Sequence, residues 1–294
     1  MKSLQSVAQR YRIESGKGFR LKDYDPGDTW HFQSKEDADP TLEKGLAQLV
    51  ELQDRLYAQD RWALLLVLQG MDAAGKDSVV KHVMSGVNPQ GCVVSSFKPP
   101  SEEELDHDYL WRAGKRLPAR GEIGIFNRSY YEEALVVRVH SHLLKGEKIP
   151  PALVGKKIWK HRFEEMCGFE RYLGRNGIIV RKVFLHLSRE EQRKRFLARL
   201  ERPEKHWKFS MSDVLEREHW DKYMDCYEDM IRNTATTGAP WYVVPADHKW
   251  FSQLVVAAAV VDALKELKLT YPKVDADRNK ELQEARRMLE TEEV

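Results

Sequence analysis

Trp62-Ala63-Leu64-Leu65-Leu66-Val67-Leu68, followed one residue later by Gly70-Met71-Asp72-Ala73-Ala74-Gly75-Lys76-Asp77-Ser78, decides the fold. An apolar run without alternation suits a central parallel strand covered on both faces. The second stretch matches G-x-x-x-x-G-K, and it has the preceding strand and following helix that this motif requires. Gly70 and Gly75 let backbone N–H groups turn inward around phosphate oxygens, with Ala73 and Ala74 in the same cradle. The helix N-terminus adds its positive end and Lys76 a point charge. The plainer alternative is an ordinary tight turn between strand and helix.

The loop departs from its pattern twice. Where a magnesium-binding hydroxyl normally follows the lysine, the chain carries Asp77, and the hydroxyl comes one residue later at Ser78. Both suit the first turn of the helix, and Asp77 stays in the phosphate site by position. Asp72 sits inside the cradle, where a carboxylate repels phosphate unless a divalent cation lies between them. Asp72 is therefore a candidate Mg²⁺ ligand, with Mn²⁺ an admissible substitute. Its plainer role is to answer the helix dipole.

Outward from the loop, apolar runs at 91–97, 122–126, 178–187 and 241–244 alternate with helical patterns at 76–86, 102–116, 130–145, 156–176, 189–201 and 211–232. This alternation predicts a doubly wound α/β fold with five parallel strands. Residues 41–59 and 251–267 also read as helices. No linker is evident, so 1–294 is one domain. Residues 1–60 form an N-terminal extension and helix, with a turn at Asp25-Pro26-Gly27-Asp28, and 274–294 form a charged tail.

In the usual strand order the 122–126 strand lies beside the first, so its end faces the loop. That end reads Phe126-Asn127-Arg128-Ser129-Tyr130-Tyr131-Glu132-Glu133. The carboxylate expected at the strand end is replaced by Asn127, which leaves metal binding to Asp72 with Glu132 or Glu133. Arg128 is placed to clamp a transferring phosphoryl group, or else to pair with a nearby glutamate.

The charge distribution singles out another segment. The chain has 294 residues, 48 Lys plus Arg and 46 Asp plus Glu, a formal charge of +2. Between Arg181 and Lys208, however, ten basic residues face four acidic ones, which suggests a local anion site. On the 189–201 helix Arg195, Arg199 and Arg202 share an arc, with Phe196, Leu197 and Leu200 opposite. The helix follows the fourth strand, where phosphate-loop kinases carry a lid of cations, so 189–215 is read as the lid. The alternative is a solvated charged face.

Other function classes fall away. Three widely spaced cysteines give neither a disulfide framework nor a zinc site. The histidines lack metal-ligand spacing, and no nucleophile elbow, helix-turn-helix or zinc finger is present. The longest apolar stretch is too short to span a bilayer, and no signal core precedes the domain, so a cytoplasmic location is expected. The segment Asp106 to Arg112, containing Asp108, either wraps a nucleobase or ribose or packs as a helix.

Taken together, Gly70 to Asp77, Phe126 to Glu133, Lys205-His206-Trp207-Lys208-Phe209-Ser210 and Ala239 to Asp247 resemble the polyphosphate kinase 2 family over roughly residues 20–272. Asn127 and the Tyr-Glu-Glu after it resemble the subgroup, class III, that phosphorylates both AMP and ADP. The resemblance implies a three-layer α/β/α phosphate-loop kinase fold with a helical lid and Mg²⁺ dependence. It also implies inorganic polyphosphate as donor, a purine nucleotide as acceptor, and dimers or tetramers. Nucleic acid and membranes are not among the implied partners. By position, Asp72 would bind metal and Lys76 the transferring phosphates. Lys81, Arg128, Arg195, Arg199, Lys205 and Lys208 would hold phosphate chains, with Glu132 near acceptor and metal and Asn127, Asp108 and Arg112 on the acceptor side. An ionised phosphate nucleophile has no proton to lose, so alignment and charge neutralisation would carry catalysis. Two rivals remain: an ATP-dependent nucleoside monophosphate or small-molecule kinase on this fold, and a non-catalytic polyanion-binding module.

Overall fold

The structure is a computed structural model and describes residues 3–292. The first two residues of the chain and the last two of the expected tail lie outside the described residues. Strand β2 (Ala63–Gln69) is buried along its whole length. It turns Leu64, Leu66 and Leu68 to one apolar cluster and Leu65 and Val67 to the other, because strand side chains alternate between faces. Around it lie β3 (Cys92–Ser96), β4 (Ile123–Asn127), β5 (Ile178–His186) and β6 (Trp241–Pro245). With the short strand β1 (Arg12–Ile13) at one edge, the order is β1-β6-β5-β2-β4-β3, and β2 to β6 are all parallel.

The expected five-stranded parallel sheet is therefore present but extended. A sixth strand, β1 (Arg12–Ile13), pairs antiparallel with β6. Two residues are too few to leave a period-two signal. The helix before it, Leu4–Tyr11, also falls in the stretch read only as an N-terminal extension. It buries Leu4, Val7, Ala8 and Tyr11, a 3.6-residue stripe diluted by polar neighbours. The turn at 25–28 is as expected, with the Asp28 amide donating to the Asp25 carbonyl at 3.2 Å.

One face of the sheet carries Leu4–Tyr11, Lys35–Gln59, Lys76–Val83 and Lys249–Glu266; the other carries Ile158–Arg175 and Trp220–Thr234. Lys35–Gln59 begins six residues earlier than expected, because Ser34 caps it by accepting from the Asp37 amide and the helix runs through Pro40. The helices expected at 102–116 and 130–145 are broken. Asp108 accepts the Leu110 amide at 2.9 Å and starts a turn between Glu102–Leu105 and Trp111–Gly114. Residues 130–147 form the 3₁₀ turn Tyr130–Ala134, the single α-turn Val136–Val139 and the 3₁₀ stretch Ser141–Glu147. The 211–232 helix is likewise interrupted at Glu216–His219. The tail forms Ala276–Glu290, which has no buried residue. Among the described residues no helix is long and apolar enough to cross a membrane.

Candidate active site

The phosphate loop leaves the carboxyl end of β2 with Gly70 at φ 155°, Ala73 at 63° and Gly75 at 107°. A Cβ at Gly70 would stand 3.0 Å from the Leu185 carbonyl oxygen, so this position needs glycine for space as well as dihedral freedom. Lys76 opens the following helix and folds its Nζ back onto the Gly70 carbonyl at 2.6 Å and the Met71 carbonyl at 3.3 Å. Burial, aided by Arg128, presses its pKa below the usual lysine value against the pull of Asp72, Glu132 and Asp77.

Strand β4 runs beside β2 in register, Leu68 opposite Asn127, so its end delivers 127–132 to the loop. Arg128 is left-handed at φ 63°. Its guanidinium spans two carboxylates, donating to Asp72 Oδ1 at 2.5 Å and Glu132 Oε2 at 3.3 Å. Burial disfavours its charge, but Glu132 and Asp72 outweigh that and raise its pKa. Glu132 Oε1 accepts from Gln69 Nε2 at 2.9 Å. Asn127 Nδ2 donates to Asp77 Oδ1 at 2.8 Å, and Lys208 Nζ lies 3.4 Å from Asp77 Oδ2. Burial alone would raise the Asp77 pKa; these two partners hold it below the ordinary carboxylate value.

Beneath this layer Glu170 and Lys182 form an ion pair at 2.6 Å with side chains 1% and 0% exposed. Glu170 Oε1 accepts from the hydroxyls of Tyr130 at 2.8 Å and Tyr131 at 2.7 Å. The residues between Arg128 and Glu132 are thus anchored to the core.

The helix Arg189–Leu200, within the segment expected to form a lid, is oriented differently from the expected amphipathic division. Phe196 is buried, but Leu197 and Leu200 are 47% and 44% exposed. Arg195 turns inward, with its side chain only 8% exposed. Arg199 donates to the Lys208 carbonyl at 3.0 Å and stands 3.8 Å from Asp213, whereas Arg202 is exposed. The cause is local: the helix ends at Leu200 and the chain doubles back through the 3₁₀ turn Pro203–Lys208.

The structure therefore gathers Gly70, Asp72, Ala73, Ala74, Gly75, Lys76, Asp77, Asn127, Arg128, Glu132, Arg195, Arg199 and Lys208 at the carboxyl ends of β2 and β4. Lys205 is exposed on the lid turn, and Lys81 is exposed in the last turn of the loop helix. Asp108 spends its carboxylate on the Leu110 turn. Arg112 donates to the Lys98 carbonyl at 2.8 Å and lines a cavity of about 330 Å³ with Ser95, Phe97, Glu104 and Arg116.

Several site residues escaped sequence reading. Gln69 is the one polar residue of β2. Asp213 carries a pKa raised by burial and then by Asp72. Lys249 has its pKa lowered by burial and then by Arg195 and Lys205, so it belongs to the same positive field. Gln69 and Lys182, polar groups inside apolar strands, are the two of these with a signal in the sequence.

Asp72 and Glu132 supply hard oxygen donors. Arg128 takes Oδ1 of Asp72 and leaves Oδ2 to other ligands. Among the described residues no three His, Cys, Asp or Glu side chains converge into a cage. Two carboxylates completed by phosphate oxygens is the pattern that magnesium favours, so the residues fit that ion. Such an arrangement can align phosphates and neutralise their charge, and among the described residues no side chain at this loop mouth is set up as a general base.

The polyphosphate kinase 2 family model matches residues 32–272. An ADP-polyphosphate phosphotransferase of Rhodopseudomonas palustris is 46% identical over 96% of this chain and 98% of its own length. An AMP/ADP-polyphosphate phosphotransferase of Meiothermus ruber is 42% identical over 92% and 98%. The crystal structure of polyphosphate kinase 2 from Arthrobacter aurescens superposes with a TM-score of 0.86 at 39% identity, covering 96% of this chain and 98% of that one.

Proposed function

The chain belongs to the polyphosphate kinase 2 family, and from this premise we propose that it transfers the terminal phosphoryl group of inorganic polyphosphate to AMP and ADP, reversibly and with Mg²⁺. The observation that carries this reading is the bridge Asp72–Arg128–Glu132 beside Lys76. It sets two carboxylates and two cations at one loop mouth, where phosphoryl transfer needs charge neutralisation and alignment. Bound Mg²⁺ would draw charge from the transferring phosphates, held by Asp72 and Glu132.

The chain's own groups do the rest. The loop amides of 70–76 and Lys76 cradle the donor's terminal phosphates. Arg128 stabilises charge on the transferring group. Arg199, Lys205 and Lys208 neutralise the trailing polyphosphate, and Lys249 extends that field. The acceptor approaches from the β3–β4 side, with Asn127 and Arg112 facing its phosphate and sugar; Asp108 shapes that wall through its turn. The attacking phosphate oxygen is already ionised, so the absence of a general base is chemically consistent. Catalysis rests on geometry.

The test is to incubate the protein with Mg²⁺, polyphosphate and either AMP or ADP, and to resolve the products by chromatography. New ADP and ATP that require polyphosphate are expected. Turnover with ATP as sole donor and indifference to polyphosphate would overturn the proposal and favour a nucleoside monophosphate kinase.

A further inference from the structure

The guanidinium of Arg195 has five N–H donors, and each has a partner within the protein. Nε donates to Glu191 at 2.8 Å. One terminal nitrogen donates to the Ala73 and Ala74 carbonyls at 3.0 and 3.1 Å. The other donates to the Ala246 and Asp247 carbonyls at 2.6 and 3.0 Å. One turn earlier, Gln192, itself 1% exposed, donates to the Asp72 carbonyl at 2.8 Å and accepts from Arg217 at 2.6 Å. Ser188 closes the assembly, its amide donating to Asp247 at 2.8 Å. Three consecutive carbonyls of the phosphate loop are thus tied to two residues of the lid helix, 120 or more positions away.

A trans peptide points its N–H opposite to its carbonyl. Tying the carbonyls of Asp72, Ala73 and Ala74 toward the lid helix directs the following amides, those of Ala73 and Gly75 among them, to the other side of the loop. A concave run of such amides is what binds phosphate. Ala73 is held left-handed, a conformation that a residue with a Cβ keeps only when its surroundings enforce it.

We propose that Arg195 and Gln192 are positioning residues that hold the phosphate loop in its amide-inward form before any substrate arrives, and that Arg195 is not itself a ligand of the polyphosphate chain. The proposal rests on the phosphotransferase reading only for its kinetic half. With every donor satisfied, Arg195 reaches a phosphate oxygen only by releasing a protein carbonyl. The long-chain contacts fall instead to Arg199, Lys205, Lys208 and Lys249.

The test compares Arg195→Ala, Arg195→Lys and Gln192→Ala with the parent chain. Hydrogen exchange of the ligand-free protein is read at residues 71–76, with the amides of β2 and β5 as the control for global folding. Loss of one or two such bonds is expected to speed loop exchange at least about tenfold while the strands stay protected. Lysine, one donor group in place of a fork, is expected not to rescue it. In turnover, Arg195→Ala and Gln192→Ala should both lower kcat. A direct ligand would instead give unchanged loop exchange, a raised KM for polyphosphate, a preserved kcat and a silent Gln192→Ala, and that result overturns the proposal. If Arg195→Ala fails to fold, the uncharged Gln192→Ala decides: unchanged loop exchange there refutes the clamp. The exchange arm needs no substrate, so its failure is separable from failure of the polyphosphate assay.

Discussion

Lys182→Met should cost this protein about 3–5 kcal/mol, the usual penalty for leaving one member of a buried ion pair alone. Lys182 lies wholly inside the core, with Nζ 2.6 Å from Glu170, 2.8 Å from the Thr234 carbonyl and 3.2 Å from the Tyr131 hydroxyl. At 2.6 Å and an effective dielectric near 20, the pair's attraction is roughly 6 kcal/mol. Removing two ions from water costs several kcal/mol each, so the intact pair contributes little net stability. The large term appears only when one partner goes, because Glu170 is then left without its counter-ion among Tyr130, Tyr131 and apolar neighbours. The double variant Glu170→Gln, Lys182→Met removes both charges and keeps an amide oxygen for the two tyrosine hydroxyls. It should return to within about 1–2 kcal/mol of the parent.

Urea unfolding followed by circular dichroism measures these differences. A loss of 3–5 kcal/mol is a large fraction of the ~5–15 kcal/mol available to a folded protein, so the midpoint shift will be plain. Turnover should follow the same order, because Tyr130 and Tyr131 hold the turn between Arg128 and Glu132. A Lys182→Met protein within about 1 kcal/mol of the parent, or a double variant no better than the single, would refute the reasoning.

Lys76→Ala and Asp72→Ala should each reduce kcat by about 10²–10⁴-fold, as loss of a transition-state charge partner does, with little change in melting temperature; stopped assays with polyphosphate and ADP check this. Chelation of divalent cations by EDTA should abolish turnover yet leave the urea midpoint unchanged, since no cage of protein ligands among the described residues depends on a metal. Glu147 is raised to about 8 by burial and by Glu133, against the opposing pull of Arg162. A carboxyl whose folded pKa exceeds its unfolded value stabilises the fold below the unfolded value, and that contribution is lost as pH rises through the folded one. Stability should therefore decline toward pH 8 at up to about 1.4 kcal/mol per pH unit, and Glu147→Gln should flatten that decline in urea titrations run at several pH values.

What the sequence disclosed follows from which signals are local. β2, its loop and the Asn127-Arg128 strand end were legible because an unbroken apolar run, a glycine pattern and parallel adjacency leave few arrangements. The N-terminal helix was missed because its four buried residues are spread among polar ones, and β1 because two residues carry no period. Arg195 shows the deeper limit. Its helical spacing sets it on one arc with Arg199, but Arg202 lies beyond the helix end at Leu200, and periodicity says nothing of what each meets. Its partners at 73, 74, 246 and 247 are set by long-range topology. Glu170 and Lys182, 12 residues apart, come together only once the helix Ile158–Arg175 packs on β5.

These distant contacts bear on how the reaction can be fast without a proton-transferring side chain. Two of the six non-glycine residues with positive φ among the described residues, Ala73 and Arg128, lie at the loop mouth, and each such conformation costs about 1 kcal/mol or more. The Ala73 carbonyl is held by Arg195, and Arg128 precedes tyrosines held by Glu170 and is itself spanned between Asp72 and Glu132. Unfavourable backbone geometry is therefore sustained from two sides, by the lid helix above and a buried ion pair below. When the nucleophile is already ionised, the protein accelerates the step chiefly by having its dipoles and charges set before the phosphates arrive, because fixed groups need not reorganise during transfer. Loosening either support should then lower kcat even though neither Lys182 nor Gln192 contacts the proposed path of the phosphate chain.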